Sequence, residues 1–338
     1  MSRPARSLAV LGALLMGGGS LLILGCIEPP PPLPPVPGPA PGPAPEAPKA
    51  DPVEEVPAPE VAFQRASREG KSPVAQPSTP ELDKARQVLE WVVTTYARDP
   101  DDPWALGHGM LALGADMETM TDKPAVDWLF EEYGQRRMVA GTPLVGFPRS
   151  RGNIRVEPHT DLVLKALMET GVPLDREVTV EGQPAKVADL YRYSLWKAWV
   201  EPDGSTSFDS LHDTPWALQG FATAAPPGLA WTASGGHAMT LDGFTDIVAK
   251  DLGAQTQFMK DAMARGEAVE KRRQGIFAYT CGGQHSIQGL AYAVARGFGS
   301  QVAKDEVQDQ ITLLYWRLDV ELKIYDDLLR ERPDAAII

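Results

Sequence analysis

Cysteine is nearly absent from this 338-residue chain, which holds only Cys26 and Cys281. A disulfide-stapled scaffold is therefore excluded, and order must come from a buried apolar core. Basic charge is also short: 32 Lys and Arg stand against 45 Asp and Glu, a formal net charge of −13. Such a chain repels a phosphate backbone. No long basic stripe offsets this, Lys271-Arg272-Arg273 being brief, so a nucleic-acid partner is excluded. Strand-like runs are scarce, and Glu177-Val178-Thr179-Val180 before Glu181-Gly182 reads as one small hairpin. The apolar run from Leu8 to Leu24 is a poor membrane span. Gly17-Gly18-Gly19-Ser20 interrupts it and no basic flank follows.

What is present begins with that same run. Arg3 and Arg6 precede it and Gly25-Cys26 ends it, the parts of a secretory signal over residues 1–25. The end, Ile23-Leu24-Gly25-Cys26, resembles the lipobox of bacterial lipoproteins. The resemblance implies that the Cys26 thiol receives a diacylglyceryl group, that cleavage makes Cys26 the first residue, and that several acyl chains then hold the protein to a membrane. Ile27 stands where Asp would resemble an inner-membrane retention signal, so the expected place is the outer membrane of a bacterial envelope. Residues 26–79 are rich in Pro, opening with Pro29-Pro30-Pro31-Pro32-Leu33-Pro34-Pro35. They read as a disordered, semi-rigid spacer that buries too little apolar surface to offset ordering entropy.

Residues 80–338 read as an all-α domain. Thr79, Pro80, Glu81 and Asp83 form a helix start, followed by Leu82, Ala85, Leu89, Val92 and Tyr96 at helical spacing. The last helix is marked by Val307, Ile311, Leu314, Leu318, Leu322, Tyr325 and Leu329. Between them runs an internal repeat. Asp101-Asp102-Pro103-Trp104-Ala105-Leu106 is echoed by Asp213-Thr214-Pro215-Trp216-Ala217-Leu218, and Glu157-Pro158-His159-Thr160-Asp161-Leu162 lies midway. Pro103, Pro158 and Pro215 thus mark starts of short helices rich in Ala, Leu and Gly. A second echo, Lys123-Pro124-Ala125-Val126 and Gln183-Pro184-Ala185-Lys186-Val187, opens longer amphipathic helices. A fourth unit starts near Cys281-Gly282-Gly283-Gln284-His285. Helical hairpins with small-residue inner helices resemble the α/α toroids of terpenoid cyclases, prenyltransferase β-subunits and thioester-containing domains, as a full or incomplete ring.

Equivalent repeats place the inner-helix starts on one rim, and with them most of the reactive side chains: Asp101 and Asp102, His159, His212 and Asp213, Cys281 and His285. Three chemistries suit this set. Cys281 and His285, four apart on a helix, form a zinc site with His159 or His212, oriented by Asp101, Asp213 or His108. Cys281-Gly282-Gly283-Gln284 resembles the Cys-x-x-Gln of thioester domains, which implies a bond from the Cys281 thiol to the Gln284 acyl group, with Gly283 where that family has Glu. Without chemistry, the domain is a scaffold binding an envelope protein or polymer. His237 in a Gly-rich loop turns the chain or covers the rim, and Trp104 and Trp216 are read as core.

Overall fold

The computed structural model describes residues 56–62 and 79–332, apart from 270 and 273. The signal, Cys26 and most of the Pro-rich segment lie outside the described residues. Val56–Ala58 and the residues after them correct the spacer reading for 56–62. Trp196 Nε1 donates to the Val56 carbonyl at 2.7 Å, Arg192 Nε donates to that of Pro59 at 3.0 Å, and Arg192 also pairs with Glu60. These backbone acceptors and the partly buried Val61 attach the segment to the domain.

The described residues are mostly helical. α1 spans Pro80–Val92, with Thr79 accepting from the Leu82 N–H as its cap, and runs into a π-helical turn at Val93–Ala97. α2 is Pro103–Leu113, α3 Ala125–Tyr133, α4 Leu162–Thr170 and α5 Val187–Lys197. α6 is Thr214–Ala224, α7 Leu241–Arg265, α8 Gln284–Ala295 and α9 Gln301–Glu331. The expectation of an all-α domain with one hairpin is corrected: four two-stranded antiparallel hairpins connect the helices. They pair Gln135–Val139 with Thr142–Gly146 (β1, β2), Ser150–Arg151 with Ile154–Arg155 (β3, β4), Glu177–Val180 with Gln183–Lys186 (β5, β6), and Ala230–Thr232 with Ala238–Thr240 (β7, β8). Each strand is five residues or fewer. That is too short for alternation to show over helical periodicity, and only β5 has the Val-Thr-Val run that declares a strand.

The short helices α2, α4, α6 and α8 touch one another in that order. Small residues permit the approach. A Cβ on Gly220 of α6 would lie 3.1 Å from Leu164 of α4, and one on Gly289 of α8 would lie 2.8 Å from the Pro215 carbonyl of α6. This is why the repeat reads as Ala, Leu and Gly: bulk at these positions would separate the row. A large apolar cluster including Leu106, Phe130, Leu164, Tyr191, Phe221 and Phe244 fills the space between this row and its neighbours. A second, with Leu252, Met259, Ile276, Leu290 and Leu313, lies between α7, α8 and α9.

Two of the three prolines stand at helix starts as expected, Pro103 in the first turn of α2 and Pro215 in that of α6. Pro158 does not. α4 begins at Leu162, after a turn in which Asp161 takes φ of 64°. The Glu157 side chain accepts from the Val163 N–H at 3.2 Å, so this group, five residues before the first residue of the helix, satisfies an N–H left open at its start.

Candidate functional site

The two carboxylates that stand just before inner helices do different work. Asp102 caps α2, accepting from the Ala105 N–H at 2.9 Å. Asp213, which precedes α6 and echoes Asp101, makes no such cap. Its carboxylate is instead buried and binds two side chains: Oδ1 lies 3.1 Å from His159 Nδ1, and Oδ2 accepts from Arg149 Nη2 at 3.1 Å. Burial alone would raise the pKa of Asp213, yet hydrogen bonds from His159 and Arg149 hold it below the ordinary carboxylate range. Since a carboxylate only accepts, Nδ1 is the donor nitrogen of His159. Arg149 also pairs with Asp209 and donates to the Pro158 carbonyl, so one guanidinium ties the turn that carries His159 to the start of α6.

Trp216 unites the rest. Its indole is 2% exposed, with the His159 ring stacked 4.2 Å from it at 9° and the His285 ring 4.6 Å away at 34°. Deeper along α4, buried Lys165 donates to Glu169 Oε2 at 2.8 Å, and Gln219 Nε2 of α6 donates to Glu169 Oε1. Burial pushes the His285 imidazole down to about 4, with Lys165, His159 and His108 adding to the shift, so it is neutral near pH 7. Burial likewise lowers His108 of α2, whose Nδ1 lies 2.8 Å from the Trp104 carbonyl. Among the described residues, two buried polar atoms of this cluster have no hydrogen-bond partner: His285 Nδ1 and Gln219 Oε1.

Behind His159 lies a second buried polar group. Asp161 Oδ1 accepts from Ser194 Oγ at 2.7 Å and from Lys197 Nζ at 2.9 Å. Burial, with Asp161 adding to it and Lys197 opposing it, pushes the Glu157 carboxyl from 4.5 up to about 7. His159 is thus held in front by Asp213 and from behind by the turn 157–161.

The zinc set from the sequence is not brought together. Cys281 to Gly283 take φ of 52°, 61° and 81°, so Cys281 leaves the chain before α8 begins at Gln284, and it shares no helix face with His285. Cys281 itself is exposed in the turn before α8. Gln284 is exposed at the start of α8. His212 lies elsewhere, its ring edge-on to Tyr279 at 5.2 Å, while Tyr279 donates to Asp251 at 2.8 Å. Among the described residues no three His, Cys, Asp or Glu side chains are grouped to hold a metal ion. Asp101 is exposed, and its N–H donates to Asp99 rather than orienting a histidine. His237 pairs with Glu201 at 2.7 Å and stacks on Trp199. Trp104, read as core, is 41% exposed.

Arg149, Lys165, Glu169 and Gln219 were not reached from sequence. Lys165 carried a signal, a lone charge in Leu162-Val163-Leu164-Lys165-Ala166-Leu167-Met168. Arg149 carried none, since it meets Asp213 only through the β2–β3 connection. None of the family models, curated proteins or solved structures compared with the chain matches it.

Proposed function

We propose that this is a lipid-anchored protein of the bacterial envelope whose helical repeat, an incomplete α/α toroid, binds a hydroxyl- and amide-bearing envelope polymer along its inner helices. The observation that carries the reading is the pair of buried, unpartnered atoms His285 Nδ1 and Gln219 Oε1 beside Trp216. Leaving such an atom unpaired costs about 1–3 kcal/mol, and a ligand offering donors and acceptors recovers that cost. Two further features support it. Three inner helices contribute to the cluster through Lys165 and Glu169, Trp216 and Gln219, and His285, and Asp213 holds the His159 ring in one orientation.

The test is calorimetric titration of the purified chain with soluble glycopeptide fragments of bacterial cell wall. His285→Phe keeps a ring against Trp216 and removes both nitrogens. It is expected to weaken binding about 10-fold while leaving stability equal or higher, because an unpaired polar atom has gone. No binding by the wild type, or equal binding by the variant, sinks the reading.

The anchor is tested separately. Cells fed labelled palmitate are expected to label the wild type and not Cys26→Ser. Label on the variant places the acyl group elsewhere, and an unlabelled wild type removes the anchor.

A further inference from the structure

α9 is 31 residues long, but its last buried residue is Leu313. Beyond the second core the helix continues for about 27 Å at 1.5 Å per residue. Ile311, one turn before that stretch, and Tyr315, Leu318, Leu322, Tyr325 and Leu329 along it are exposed, from 41% at Ile311 to 66% at Tyr315. Their spacing alternates four and three, the seam of a coiled coil rather than the broader stripe of a helix lying on a globular core.

We propose that this seam pairs, antiparallel, with the same seam of a second copy of the chain. The positions are self-complementary about one point. With a two-fold axis beside Val320, Leu318 falls opposite Leu322 of the partner subunit, Tyr315 opposite Tyr325 of the partner subunit, and Ile311 opposite Leu329 of the partner subunit. All six residues are placed by a single axis, as an isologous contact requires. Leu314 and Leu328 fall opposite each other on one flank and extend the apolar contact. The charges beside the axis permit close approach. Glu321 is already bound within its own chain by Lys271 at 2.7 Å and Arg317 at 3.2 Å, and Lys323 follows Asp319 by one helical turn. The seam offers roughly 500 Å² of apolar surface per copy, at the lower limit for a specific dimer. A shared membrane anchor would raise the effective concentration of the two copies.

Sedimentation equilibrium of the full chain in density-matched detergent is expected to give twice the chain mass at micromolar concentration. Leu318→Glu with Leu322→Glu is expected to weaken association at least ~100-fold, since two buried layers would carry charge. Its helical circular dichroism should be unchanged, because neither side chain is buried in the single chain. Cysteine cross-linking gives the direction. A mixture of Leu318→Cys and Leu322→Cys chains is expected to cross-link, with either alone doing so far less. A wild type that sediments as a monomer, a dimer that survives the double substitution, or self-cross-linking of each single variant equal to the mixture overturns the proposal. Pairing with a different partner would leave the isolated chain monomeric and so falls under the first of these.

Discussion

Trp216→Ala is expected to destabilise the protein by about 3–5 kcal/mol, read as the shift in guanidinium midpoint at constant slope. The indole is 2% exposed, so its removal leaves a cavity as well as losing transfer energy. The loss also reaches the site, because the same ring carries the imidazoles of His159 at 4.2 Å and His285 at 4.6 Å. Wall-fragment binding should therefore disappear even where the variant remains folded. Trp216→Phe separates the two effects. It restores most of the packing and one stacking face, and is expected to recover at least half of the lost stability. A cost below about 1 kcal/mol for the alanine variant would mean that the helix row closes over the cavity.

Stability is expected to fall as pH rises from about 4.5 to about 7, because Glu157 binds its proton more tightly folded than unfolded. The folded group is raised, so its contribution is fully present below 4.5 and is lost as pH rises through about 7. With the residue 4% exposed, the loss is roughly 3 kcal/mol at 1.4 kcal/mol per pH unit. Glu157→Gln keeps an oxygen to accept from the Val163 N–H and cannot ionise. The variant should be more stable than wild type at pH 8, nearly equal at pH 4, and without the slope between. Urea unfolding at these two pH values decides it. A wild type whose stability is flat across the interval would mean that Lys197 neutralises the ionised carboxyl in place. The turn 157–161 carries His159, so its strain at high pH bears directly on the candidate site.

Helix placement was legible wherever a local signal governs. Thr79-Pro80 and Asp102-Pro103 start helices because capping and proline's fixed φ act within one turn of chain. The Ala, Leu and Gly of the inner helices were legible as a repeat because close helix contact selects for small side chains. The first strand of the β5–β6 hairpin was legible from β-branched residues before a Glu-Gly turn, whereas Gln183–Lys186, which reads as a helix start, forms its second strand. The site was half legible. His159, Asp213 and His285 were reached through the repeat, and Asp213 orients His159 as expected, but Cys281 and His212 do not join them. Cys281 was joined to His285 on a helix that begins only after it.

Composition and local pattern, then, determined by themselves that the described chain is mostly helical, that its short helices recur, and where most of them begin. Those properties depend on residues within a few positions of one another. Tertiary structure alone decided that Asp213 also binds Arg149 rather than capping its helix, that Trp216 lies between two histidines, and that Lys165 and Gln219 meet at Glu169. These contacts join residues about 50 or more apart, apart from the Lys165–Glu169 pair one helical turn apart. A carboxylate has the same local options at Asp102 and at Asp213. Only at Asp213 does the fold bring a guanidinium and an imidazole near enough to outbid the helix N–H groups.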